Sequence, residues 1–187
     1  MTDHAIRTVT ADDGRTLAFY PDANLDRPYQ GDEGVKIVVL HRRYINPASG
    51  DIDTRDEADA FEAANRPRRT PGGTQWVIFP LFLHDHGNTI YEVSEGPNPF
   101  VGRSPYAAWD SGRVGFIALK RSEWGSKSRR KLFAWAREIA ANYTAWANGD
   151  GVGWVLTDAQ GVHLDSLWGF YSLDEAAADA KATTGLS

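Results

Sequence analysis

The chain has 187 residues, 42% of them hydrophobic, and carries a net charge of −5 from 20 Lys and Arg against 25 Asp and Glu. It holds no cysteine, which excludes disulfides, thiolate metal sites, iron–sulfur clusters and cysteine nucleophiles. The acidic balance argues against a general nucleic-acid coat, and no apolar run nears the ~20 residues of a membrane span, so one cytoplasmic domain covering residues 1–187 is expected.

In chain order, IRTVT and RTLAFY read as the arms of a hairpin, with Ala11-Asp12-Asp13-Gly14 as its turn. An acidic loop leads to VKIVVLH, an apolar run that fits a buried strand. Thr54 followed three residues later by Glu57 is a capping box, and it opens a short helix that ends at NRPRRTPGG. QWVIFPLFL is the most hydrophobic stretch, and Pro80 within it calls for an edge, a bulge or a bend. HDHGN reads as a turn, NTIYEV as a strand, and SEGPNPFVGRSPYAAWDSG as a long loop of the kind that carries function.

RVGFIAL is the next strand, after which KSRRKLFAWAREIAANYTAWANGDG gives the longest helix. Leu132, Ala136, Ile139, Tyr143 and Trp146 fall on its apolar face at helical spacing. A hairpin turning at Asp158–Gly161 follows, then a short alanine-rich helix capped by Ser172. Strands predominate, with one long and two short helices between them. The pattern predicts an α+β domain built on a mainly antiparallel, mixed sheet.

At HRRY (41–44), WDSGRVGFI (109–117) and DSLWGFY (165–171) the chain resembles a family of small proteins encoded by bacteriophages and other mobile elements. FPLFLHDHG at 79–87 and NPF at 98–100 match the same order of pieces, so the resemblance runs from about residue 20 to 171. It implies a phage or mobile-element origin and no particular reaction. The stretch INPASGDIDTRDEADAF is longer and more helical than the family pattern. Asp85, His86 and Gly87 match it, whereas at His84 the family resembles an aromatic position.

Few residues point to chemistry. His84 and His86, two apart on an extended segment, share a face as metal ligands do, but no third ligand is spaced to join them, so no metal and no cofactor is expected. His41, Asp85 and His86 are the candidates for acid–base work at strand ends. Arg42 and Arg43 offer planar forks to an anion, or pair internally with the acids of residues 22–33. Asp110 and Ser111 read as an Asx-type turn with Gly112 left-handed, so Ser111 is not a nucleophile. Trp109, Trp124 and Trp168 fall at element ends, where an exposed indole anchors a partner. Six bases stand against Glu123 alone over residues 121–137, and Arg121, Arg129, Arg130 and Lys131 form a basic patch at the start of the long helix.

These features favour a non-enzymatic accessory protein that binds a host or phage macromolecule, a protein before nucleic acid, away from membranes. Two alternatives stay open: an enzyme acting on nucleic acid or a nucleotide through His41, Asp85 and His86, and a weak nucleic-acid binder through residues 121–131. The apolar strands VKIVVL, FPLFL and RVGFIAL should also deliver HRRY, DHG and WDSG to one end of the sheet, with Asp110 against Arg42 or Arg43.

Overall fold

The computed structural model describes residues 4–41, 44–45, 52–66, 75–103, 105–125 and 127–186. The elements are β1 (Arg7–Thr10), β2 (Thr16–Pro21), β3 (Val35–His41), β4 (Tyr44–Ile45), α1 (Arg55–Ala64), β5 (Trp76–His86), β6 (Asn88–Val93), β7 (Ser111–Lys120), the single turn α2 (Arg121–Trp124), α3 (Arg129–Asn148), β8 (Val152–Thr157), β9 (His163–Phe170) and α4 (Leu173–Thr184). The fold is α+β, and every described strand pairing is antiparallel. The strands form two sheets, β1-β2-β8-β9 and β4-β3-β7-β5-β6, where the sequence pattern had to be read as one. Periodicity shows that a strand is half-buried; it does not say which strand lies beside it. By contact the chain divides into two compact units, Met1–Arg27 with Ala145–Ser187, and Pro28–Thr144.

In the unit built from the chain ends, β2 pairs with β8 and so joins the first hairpin to the last. Ser172 caps α4 by accepting the Glu175 N–H, and Gly185, at φ 76°, closes the helix in the left-handed region. Ala176 and Ala180 are buried in one apolar cluster with Leu17, Phe19, Trp154 and Leu156, since alanines let a helix approach a sheet closely. Burying each large side chain there contributes ~1.5–3 kcal/mol. The Trp154 ring is fully covered, and its Nε1–H donates to Asp179 Oδ1 at 2.9 Å. The Trp168 indole lies against Gly153, where any Cβ would meet the ring at 2.2 Å.

In the second unit β7 is the central strand. Alternating side chains give its sheet two apolar faces, each covered by a helix. On one face Phe61 of α1 stacks on Phe116, with ring centroids 5.5 Å apart, beside Val38 and Trp76. On the other, Phe133 and Tyr143 of α3 meet Phe79 and Tyr91 at 5.5 and 4.8 Å. The Thr54–Glu57 capping box forms as the sequence requires. The backbone N–H groups of Asp53 and Thr54 hold the Glu57 carboxyl below its usual range.

Pro80 lies where β5 has no β6 partner, since β6 pairs only from Leu81 onward; the β5–β7 register then shifts between Leu81 and Phe82, with the extra residue, Val114, in β7. One expectation is corrected here. His84, Asp85 and His86 belong to β5, and the turn shrinks to Gly87 at φ 85°, because both β6 and β7 pair with that end of the strand. The outer edge of β6 is closed by α3, where Thr144 Oγ1 accepts the Tyr91 N–H at 2.9 Å.

Candidate functional site

β3 and β5 each run antiparallel to β7, so they run parallel to each other. Their last residues therefore reach the same rim of the sheet as the first residues of β7. An open cleft of about 300 Å³ lies there, lined by His41, Asp85, Trp109, Asp110, Ser111 and Arg113 among others. The Asp85 N–H donates to the Asp110 carbonyl at 2.9 Å, and His86 Nδ1 stands 2.9 Å from Asp110 Oδ2.

The structure thus brings together some of the sequence candidates and separates others. His41, Asp85 and Asp110 share the cleft. Neighbouring strand residues project to opposite faces, which puts His86 on the other side of β5 from Asp85, tied back through Asp110. His86 stacks on Tyr106 with centroids 6.0 Å apart, and His84 packs beside Phe100 at 5.3 Å. Among the described residues no three His, Asp or Glu side chains gather into a metal set. Arg42 and Arg43 lie outside the described residues.

The Asx turn expected at Asp110–Gly112 does not form. Asp110 turns its carboxylate to His86, Ser111 donates to the Ala107 carbonyl and accepts from Asn98 Nδ2, and Gly112 is ordinary strand. These bonds belong to a well-anchored loop spanning residues 94–110. Phe100 and Ala107 are buried with Phe82, and Asn98 Oδ1 accepts the Phe100 N–H at 3.0 Å. Arg103 grips Glu92 through two bonds, at 2.6 and 2.8 Å, and that carboxylate raises its already high pKa. What this loop holds outward is Trp109, 88% exposed, together with Tyr106 and Val101, 63% and 59% exposed. Composition alone hides Val101 and Tyr106 as binding candidates; their signal is position, on a loop whose Asn and Ser residues fold it back on itself.

The basic segment is less uniform than its sequence. Trp124 is no outward anchor: its ring lies 4.4 Å from that of Trp135, and its Nε1–H donates to the Gly34 carbonyl. Lys127 sits over the Trp135 ring at 4.0 Å, and Arg129 pairs with Glu95. Arg121, Arg130 and Lys131 are exposed. No described helix is long and apolar enough to cross a membrane.

Compared with known proteins, the chain matches no family model, no curated protein and no solved structure.

Proposed function

We propose that the protein is a phage or mobile-element accessory protein that acts as a binding module, docking a partner protein against the rim of its five-stranded sheet. The observation that carries this reading is Trp109, a large indole left 88% exposed on a loop anchored by buried Phe100 and Ala107 and by the bonds of Asn98. An exposed Trp on a rigid support loses little entropy when a partner covers it, and such residues dominate binding energy. Tyr106 and Val101 extend the apolar contact, and Asp85, Asp110 and His41 supply a polar border.

Affinity capture from lysate of the bacterial host, with wild type and Trp109→Ala in parallel, tests this reading. A protein retained by wild type and by a control in the other compact unit such as Leu164→Ala, but lost with Trp109→Ala, is the expected result. Equal retention by all three overturns it. A second reading, an acid–base enzyme acting on a nucleotide, is favoured by the meeting of His41, Asp85 and Asp110 in one cleft. Turnover of a nucleotide by the pure protein, abolished in Asp85→Asn, would select it.

A further inference from the structure

A second cleft, of about 280 Å³, lies beside the first half of β5 and the last turn of α1. Among the described residues four arginines line it, Arg66, Arg113, Arg121 and Arg129, against two carboxylates, Glu62 and Glu95. Arg113 bonds Glu62, while Arg129 bonds Glu95 and lies over the Phe79 ring at 4.8 Å. Those two guanidiniums are neutralised and held. The guanidinium groups of Arg66 and Arg121 make no hydrogen bond or ion pair with any described residue, so the described lining keeps a surplus of two positive charges in a chain whose net charge is −5.

We propose that this cleft binds the phosphoryl group of a small phosphorylated molecule. Gathering unpaired cations in one concavity is unfavourable in the empty protein, and an anion relieves it. A surplus of two charges matches the ~1.5–2 negative charges of a phosphate monoester near neutral pH. Planar guanidinium forks fit phosphate oxygens two at a time, and the Glu-bound pair, Arg113 and Arg129, gives the cleft a held wall. Arg66 comes from the end of α1 and Arg121 from the start of α2, so bound anion would bridge the two. A surplus of two charges matches one phosphoryl group rather than the run of phosphates along a nucleic-acid strand.

Calorimetric titration of the full chain with inorganic phosphate, pyrophosphate and a nucleoside monophosphate, at constant ionic strength, tests the proposal; malonate serves as the carboxylate comparator. Saturable binding of at least one phosphoryl ligand is expected, weakened about tenfold or more by Arg66→Gln and by Arg121→Gln. Arg121→Lys should lose a smaller part, since it keeps the charge without the fork. Both arginines are exposed, so unliganded melting temperatures should not move. Arg137→Gln, in the groove between α3 and β6, should bind as wild type does. Absence of binding up to ~10 mM ligand, equal loss in Arg137→Gln, or malonate bound as tightly as phosphate would overturn it.

Discussion

His86 Nδ1 and Asp110 Oδ2 stand 2.9 Å apart, joining the end of β5 to the loop that leads into β7. The contact fixes the ring through one nitrogen and leaves Nε2 as the free one. It also ties residue 110, next to the exposed Trp109, to a strand rather than to the loop alone. Arg42 and Arg43, the partners the sequence suggests for Asp110, lie outside the described residues; its described partner is a histidine that is itself largely exposed.

Asp110→Ala should therefore cost less than ~1 kcal/mol of global stability, the range of surface pairs, and not the ~3–5 kcal/mol of a broken buried pair. Its effect should be local, seen as faster amide exchange over residues 98–109. Urea denaturation and hydrogen exchange measure the two separately; a large global loss with unchanged exchange contradicts this assignment.

The capping box gives α1 an acid sensitivity of definite sign. Glu57 titrates lower in the folded chain than its ordinary value of 4.5, because two backbone N–H groups favour its charged form. A depressed carboxylate contributes stability above its unfolded pKa, and that contribution fades as the pH falls through the folded one. Below about pH 4.5 wild type should thus lose stability that Glu57→Gln lacks at every pH. Thr54→Ala, which removes the other half of the box, should cost ~1 kcal/mol at neutral pH. Parallel pH series of chemical denaturation check both.

Gly115 sits where β7 passes closest to β3. A Cβ there would lie 1.8 Å from the Val38 carbonyl oxygen, a backbone atom with no rotamer to move. Gly115→Ala should cost about 3 kcal/mol or prevent folding, because the strand pairing itself must shift. A melt within a degree of wild type would mean that the strands part more easily than this.

Asp179→Ala leaves the Trp154 indole N–H buried without its acceptor. The expected cost is ~1–3 kcal/mol, the penalty of an unsatisfied buried donor. Thermal denaturation followed by tryptophan fluorescence reads it directly.

Local signals carried much of this architecture. Thr54 with Glu57, Ser172 before an alanine run, and Pro80 in an apolar strand each name their own geometry, and the structure builds each of them. The meeting of His41, Asp85 and Asp110 could also be foreseen, since apolar strands must run through the core and shed polar ends at its rim. Partner choice was less legible. Nothing near Trp124 says that Trp135 and Gly34 will cover it, and nothing near Arg103 says that Glu92 of β6 will hold it. The split into two sheets is hidden for the same reason, because β2 finds its neighbour β8 more than a hundred residues away. The side of β5 that His86 occupies depends on the strand reaching Gly87, which a turn-like HDHGN conceals.

The bond between Thr144 and Tyr91 spans 53 positions of sequence, so it closes only when α3 settles on the sheet. Before that moment β6 is an edge strand with its outer amide at Tyr91 still open, the condition in which chains add to one another edge to edge. The hydroxyl that finishes the native sheet therefore also sets a deadline during folding. How quickly the long helix docks decides how long newly made copies can stick together, and yield at high expression should depend on residue 144 more than final stability does.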